Sequence, residues 1–250
     1  GDFSAVLTFA SMFRLLGFGI LNLKIWTTKE TTGISAKTLQ LYCLVFLVHN
    51  YTIIFDDTYV PYDESATFLY NIIGVMSLVF AASALYACNG PFKKTYQEDL
   101  DKFGEWNVPP GFGALYIVAP CVILALLFHA ELSNVHLIDI LYAFALYVEC
   151  VALLPQLYMF QKQAKGGVEM LTAHFVFAMG LGRILELMFW SRGYVLFASE
   201  SGSLAAGYLV IFSQVTQILL MLDFFWYYCM AMKNDMPLIL PSSHCELDAV

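Results

Sequence analysis

The stretch LYVECVALLPQLYMFQKQAKGG, residues 146–167, combines features that a bilayer-spanning segment rarely contains together. It is apolar enough to enter a bilayer, yet it holds a carboxylate, Glu149, and a Pro155–Gln156 step six residues later. A proline inside a helix removes one backbone hydrogen bond and leaves a carbonyl, here that of Val151, to other partners. We therefore predict a membrane helix with a structural kink at Pro155 and Gln156. We expect the kink and the Glu149 carboxylate to border the same polar region.

The composition of the whole chain is typical of a protein with many such segments. Of its 250 residues, 60% are apolar and 13% are charged, whereas about 25% are charged in a soluble domain. A helix needs about 20 mostly apolar residues to cross a bilayer. Seven stretches are long enough: residues 3–25, 38–55, 66–88, 111–130, 135–161, 168–198 and 205–232. Because they are continuously apolar, we predict an all-α membrane protein with seven transmembrane helices, not a β-barrel.

The lysines predict how the protein is oriented. All nine follow the first, third, fifth or seventh stretch, whereas the other connections contain acids and no lysine. By the positive-inside rule, the lysine side is cytosolic, or faces the matrix in an organelle such as the mitochondrion. The N-terminus then lies on the opposite side, and residues 233–250 form a tail on the cytosolic side.

Charged residues also occur inside the predicted helices. A charge in hydrocarbon costs about 2.5–3.5 kcal/mol on insertion scales, so such residues normally face a bundle interior or a wet cavity. The chain has seven of them: Arg14, Asp139, Glu149, Arg183, Glu186, Arg192 and Asp223. Two interpretations stay open, a ligand cavity and a structural network that neutralises itself.

Two parts of the sequence align with each other at a constant offset of 134 positions, NLKIWTTKETTGIS (22–35) and QLYMFQKQAKGGVE (156–169). The alignment pairs Gly33 with Gly167 and, further along, His49 with Arg183. We predict two parallel three-helix repeats, about 3–88 and 135–232, with a linker helix at about 111–130. Such repeats place a binding site near the membrane midplane at their interface.

Four stretches resemble a known family: LKIWTTKETTGISAKTLQL, YVECVALLPQLYM, LTAHFVFAMGLGRILELMFW and TQILLMLDFFWYY. In order and spacing they are similar to the ER lumen protein-retaining receptors, the KDEL receptors. The resemblance implies a SWEET- or PQ-loop-like fold in the ER and Golgi membranes, with a lumenal N-terminus. It also implies that the chain retrieves escaped ER proteins by binding their C-terminal signal in a polar intramembrane cavity.

The family pattern implies candidate ligand-binding residues. Glu149, Arg183, Trp190 and Asp223 stand where the family has the same residue, and Asp139 replaces a glutamate that faces the signal's lysine. Other positions depart from the pattern: His49 and Leu7 replace ligand arginines, Arg14 replaces the pH-sensing histidine, and Gly182 replaces a tyrosine. Arg192 matches a third arginine only if the register shifts by one. The candidate set is therefore Arg14, His49, Asp139, Glu149, Arg183, Trp190 and Asp223.

Charge bears on these departures, because a signal with several carboxylates favours a pocket with surplus positive charge and arginine donors. The helices contain three arginines and four acids, a surplus of one negative charge that a protonated His49 would cancel. His49 is therefore either a relocated pH switch or a hydrogen-bonded interior histidine, and we favour the latter.

Three functions remain at this stage. The first is a divergent retrieval receptor, with membrane lipids and peptide C-termini as partners. The second is an accessory subunit that contacts other membrane subunits of a larger organellar complex, which the tail's single lysine, Lys233, and three acids favour. The third is a small-solute transporter. The chain has no nucleophile and base pair, metal-ligand cluster or phosphate loop, so we expect no enzyme activity, no cofactor and no nucleic-acid partner.

Overall fold

The computed structural model describes residues 2–55, 64–105, 113–129, 133–163, 167–201 and 204–240. The side chains of residues 2–5, 64–67, 192–201 and 204–207 are outside this description, as is the last part of the tail, residues 241–250. The candidate Arg192 therefore lies outside the described side chains. The helices are α1 Asp2–Thr28, α2 Ala36–Phe55, α3 Glu64–Asn89, α4 Gly113–Leu127, α5 His136–Val151, α6 Leu154–Lys162, α7 Met170–Ser201 and α8 Leu204–Asn234.

These helices have the lengths and apolar character of a membrane bundle. Within the described residues, six spans are long and apolar enough to cross a bilayer, with α5 and α6 forming one span, and α4 is a shorter apolar helix. The predicted all-α, seven-helix membrane protein is confirmed. α1 packs chiefly against α7 and α3, α2 packs against α3 and α5, and α8 packs against α7 and α5.

The fifth predicted span is interrupted at Ala152 and Leu153, although both residues keep right-handed helical backbone angles. α5 ends at Val151 and α6 begins at Leu154, so Pro155 lies in the first turn of a new helix. At that position the missing N–H costs nothing, because the first N–H groups of a helix have no partner within the helix. The interruption lies beside Pro155, which agrees with a kink there, and the structural role of Pro155 and Gln156 stays a prediction.

Gln156, next to Pro155, is anchored by buried hydrogen bonds. Its side chain is fully buried and joins the α1–α2 connection: Nε2 donates to the Gly33 carbonyl (2.7 Å), and Oε1 accepts from the Ser35 amide (2.9 Å). The backbone N–H of Gln156 donates to the Thr38 hydroxyl (3.0 Å). We call this group, together with Lys37 and Asp101, the polar junction.

Asp101 ties the α3–α4 connection into the polar junction. Its carboxylate accepts hydrogen bonds from the hydroxyls of Ser35 (2.7 Å) and Tyr96 (2.6 Å). Lys37 Nζ donates to the Asp101 carbonyl (2.6 Å) and to Glu105 Oε1 (2.8 Å). Burial, together with the adjacent Asp101 carboxylate, raises the pKa of Tyr96. The connections after α1 and α3 therefore meet at the same end of the bundle as the start of α6.

The first residues of the tail also dock at this end. The Val168 amide donates to the Leu238 carbonyl (2.8 Å) in an isolated antiparallel bridge, and the side chains of Leu238 and Leu240 are buried. Gly167, with φ 73°, lies against Pro237, where an added Cβ would come within 3.1 Å of the proline ring. The tail is thus part of the fold as far as Leu240.

Aromatic side chains form the centre of the core. The Phe18 ring on α1 is fully buried and meets Tyr42 (5.3 Å), Phe46 (5.4 Å) and Phe175 (5.1 Å) edge to face. Edge-to-face contacts at such distances add to the free energy of burial. The contacts join α1 to α2 and α7 just on the polar-junction side of Arg14.

The internal repeat stays a prediction. Gly33 and Gly167, which the alignment pairs, share a left-handed backbone, with φ of 78° and 73°. α3 contacts both α1 and α2, and α8 contacts both α5 and α7.

Candidate functional site

A small polar cavity lies inside the bundle, from its middle toward the end opposite the polar junction. Five of the predicted ligand-binding residues line it: Arg14, His49, Glu149, Arg183 and Trp190. They come from α1, α2, α5 and α7, so the fold brings together positions that are far apart in the sequence. The cavity volume is about 30 Å³, which is room for about two water molecules.

Two arginines and two glutamates form a closed network in this cavity. Glu149 Oε1 accepts from Arg14 Nη1 (2.7 Å) and also pairs with Arg183 Nη2. Glu186 Oε1 accepts from Arg14 Nη2 (2.9 Å), and its Oε2 pairs with Arg183 Nη1. Each guanidinium therefore binds both carboxylates. All four side chains are at least 90% buried, so this mutual pairing offsets the cost of taking the charges out of water.

Neighbouring groups fix the geometry of the network. Gln214 Nε2 on α8 donates to Glu186 Oε2 (2.8 Å), which adds a third donor to that carboxylate. The Arg14 guanidinium carbon lies 5.9 Å from the centre of the Phe46 ring, within the range of a cation–π contact. The network thus connects α1, α5, α7 and α8.

His49 borders the network without an ion pair to it. Its Nε2 lies 3.0 Å from the Tyr70 hydroxyl, and its ring tilts against Tyr142 at 6.1 Å. This contact agrees with the interpretation as a hydrogen-bonded interior histidine. The role as a pH switch stays a prediction.

The structure does not bring Asp139 or Asp223 to the cavity. Asp139 is buried, but its Oδ1 accepts from the Ser133 amide (3.0 Å) at the start of α5, roughly 15 Å along the helix from Glu149. Asp223 is exposed on α8, about 180° around the helix from Gln214 at 3.6 residues per turn. The grouping of these two acids with the other five candidates is therefore wrong, because a match to the family pattern does not show which way a residue of an apolar helix faces in this chain.

The sequence interpretation missed four polar lining residues: Tyr70, Tyr142, Glu186 and Gln214. Glu186 was noted as a charge inside a helix but was not placed in the site. Its spacing three residues after Arg183 puts both on one face of α7 and was a usable signal. Tyr142 lies seven residues before Glu149, again on one helix face. Nothing comparable pointed to Tyr70 or Gln214.

The cavity and the kink form two separate polar regions. Glu149 binds Arg14 and Arg183, whereas Gln156 binds the α1–α2 connection. The expectation that they share one region is wrong, because Gln156 lies about two helical turns, roughly 10 Å, along the span from Glu149 and bonds to a different connection.

The network decides what this site can do chemically. The two arginines are donors for a carboxylate, the group that a planar guanidinium binds best, but the protein's own carboxylates already occupy them. The described part of the chain contains no group of three or more His, Cys, Asp or Glu side chains placed to hold a metal ion.

The chain is similar in sequence to known proteins. The chain is 31% identical to the ER lumen protein-retaining receptor of Drosophila melanogaster over 224 residues, 89% of this chain and 92% of that protein. It is 33% identical to ER lumen protein-retaining receptor A of Arabidopsis thaliana over 236 residues, 92% of this chain and 96% of that protein. The family model "ER lumen protein retaining receptor" matches residues 30–192, more than half of the chain. The chain therefore belongs to the ER lumen protein retaining receptor family.

Proposed function

We propose that this protein is a retrieval receptor that binds the C-terminal segment of ER lumenal proteins in the cavity around Arg14 and Arg183. The relatives' names support this proposal, since each describes a receptor that retains proteins of the ER lumen. In this proposal the protein resides in ER and Golgi membranes, and binding involves no catalytic step.

The observation that supports it most strongly is the pair of buried guanidinium groups inside a membrane bundle. Charged side chains are rare in this environment and default to functional roles. Here Arg14 and Arg183 lie on two different helices and point into one cavity, an arrangement suited to a carboxylate. A peptide C-terminus supplies that carboxylate.

The orientation of the cavity supports a lumenal ligand. Leu7, His49 and Trp190, which also line the cavity, lie beyond Arg14 and Arg183, away from the lysine-bearing end. If that end is cytosolic, as the positive-inside rule indicates, the cavity approaches the lumen.

Binding requires the cavity to change. A volume of about 30 Å³ cannot hold a peptide terminus, since ligand sites are typically 300–1,000 Å³. We infer that the helix ends opposite the polar junction separate and that the ion pairs rearrange when a signal binds. The polar junction, with its buried hydrogen bonds, holds the other end closed.

The two alternatives have less support. The matched relatives are receptors by name, and neither an accessory subunit nor a solute transporter is indicated by them. The balanced network of two arginines and two glutamates is what a structural subunit would also contain, so the experiment must measure binding.

The test uses purified full-length protein and fluorescent peptides at pH 5.5 and 7.4. The peptides end in Lys-Asp-Glu-Leu or in variants with Asn for Asp and Gln for Glu. We expect saturable binding of at least one peptide that an unlabelled copy displaces and that Arg183→Gln weakens at least tenfold. No saturable binding of any peptide at either pH contradicts the proposal.

A further inference from the structure

Glu186 is the most heavily hydrogen-bonded acid of the cavity. Oε1 accepts from Arg14 Nη2 (2.9 Å), and Oε2 pairs with Arg183 Nη1 and accepts from Gln214 Nε2 (2.8 Å). Glu149, by comparison, contacts the same two arginines through one oxygen, Oε1. Glu186 thus lies between two guanidinium groups with both oxygens engaged, as the carboxylate of a bound peptide would be.

The charge of the cavity depends on this residue. With His49 neutral, the lining residues provide two positive charges, Arg14 and Arg183, and two negative charges, Glu149 and Glu186. The cavity is therefore neutral, and without the Glu186 charge it would hold one positive charge in surplus. Charges act strongly on one another inside a low-dielectric interior.

An incoming carboxylate meets a direct competitor in Glu186. Both arginines already bind Glu186, so a peptide carboxylate can bind them only when Glu186 loses hydrogen bonds to them. Each further acidic side chain on the peptide then adds a negative charge to a site that has no surplus positive charge to neutralise it. Like charges placed together in an interface cost several kcal/mol and exclude wrong partners.

We propose that Glu186 is the specificity-determining residue of this receptor, and that it makes the cavity select C-terminal peptides whose net charge is near zero. Such a peptide has one basic side chain to balance its terminal carboxylate and has amides or apolar groups where Lys-Asp-Glu-Leu has acids. This inference rests on the proposed function, because it assumes that peptide termini bind in the cavity.

The experiment compares two peptides of equal length on three proteins. One peptide ends in Lys-Asp-Glu-Leu, with a net charge of −2 for these four residues, and the other ends in Lys-Asn-Gln-Leu, with a net charge of zero. The proteins are the natural chain, Glu186→Gln, and the double variant Glu186→Gln with Gln214→Glu. The double variant places a carboxylate at position 214 instead, whose side chain lies 2.8 Å from that of Glu186 in the natural chain. The cavity of the double variant therefore has the same net charge as that of the natural chain.

We expect the natural chain to bind the neutral peptide at least tenfold more tightly than the acidic one. In Glu186→Gln the affinity for the acidic peptide rises at least tenfold, and the double variant restores the original preference. Tenfold corresponds to about 1.4 kcal/mol. Thermal unfolding of each purified variant confirms that it is folded.

The outcomes separate the two proposals. If no protein binds either peptide, the proposed function fails and this inference fails with it. If the peptides bind but their affinity ratio is the same within twofold in Glu186→Gln, only the inference about Glu186 is overturned. A changed ratio that the double variant does not restore also overturns it, because the effect would then not follow charge.

Discussion

Arg14 on α1 and Glu149 on α5 are joined by a hydrogen bond of 2.7 Å across 135 positions of sequence. Both side chains are buried, and both also belong to ion pairs with α7. This contact therefore connects the two halves of the bundle in its interior. Removing either residue leaves a buried charge with one ion pair fewer.

Arg14→Leu should destabilise the protein strongly, because it leaves Glu149 and Glu186 to share one arginine. Removing one partner of a buried pair costs about 3–5 kcal/mol. The double variant Arg14→Leu with Glu186→Gln restores equal charge and should lose less free energy of unfolding than the single variant. Unfolding in detergent measures both. If the double variant loses as much free energy of unfolding as Arg14→Leu does, or more, the account is contradicted.

Gln156→Leu should weaken the polar junction. It leaves the Gly33 carbonyl and the Ser35 amide without the partners that Gln156 gives them, and an unsatisfied buried group costs about 1–3 kcal/mol. We expect a loss of about 2–4 kcal/mol. Gln163→Leu, on the same segment, is the matched control, because among the described residues Gln163 Nε2 donates to the Gln97 side chain alone (3.1 Å). Equal losses for the two variants would show that Gln156 has no special role.

Asp101→Ala should release the α3–α4 connection. The carboxylate accepts from Ser35 and Tyr96, and removing it leaves both hydroxyls to find other partners. We expect faster amide hydrogen exchange in residues 93–105. Asp99→Ala is the control, since its side chain is 99% exposed beside Lys102 and exposed pairs contribute about 0–1 kcal/mol. Exchange that is equally fast in both variants would disprove the anchoring role.

Leu238→Ala should detach the tail from the body. The Leu238 side chain is fully buried, whereas that of its neighbour Ile239 is 48% exposed. Truncating a buried leucine costs about 2–5 kcal/mol, and we expect Ile239→Ala to change stability by less than about 0.5 kcal/mol. Detachment of the tail is measured as faster cleavage of the chain after Asn234 in limited proteolysis. Equal cleavage of both variants and the natural chain would contradict the docking of Leu238.

Much of this fold was predictable from the sequence, because the length and apolar character of a span are properties of a continuous segment. The apolar runs predicted the helices, and Pro155 predicted a disruption of the fifth. The sequence did not show what Gln156 binds, because its partners are residues 33–38 of a connection that is far away in the sequence. The docking of Leu238 had no signal either, since it rests on one backbone bond and on burial.

The site was predictable in part for a related reason. Arg14, Glu149 and Arg183 were indicated twice, by the family pattern and by the rule that a charge inside an apolar helix must face the interior or water. The same rule led to Asp223, which is exposed, and to Asp139, which binds near the start of its own helix. A rule based on charge cannot separate these cases, because the direction of each side chain depends on how the helix is rotated in the bundle.

The central claim is that two buried arginines bind a peptide's terminal carboxylate, and one comparison tests it most directly. The tightest-binding peptide of the panel is measured beside the same peptide with a C-terminal carboxamide, on the purified full-length protein. The account predicts that the carboxamide binds at least tenfold more weakly, because it removes the charge that Arg14 and Arg183 recognise. Equal affinity for the two peptides would contradict it.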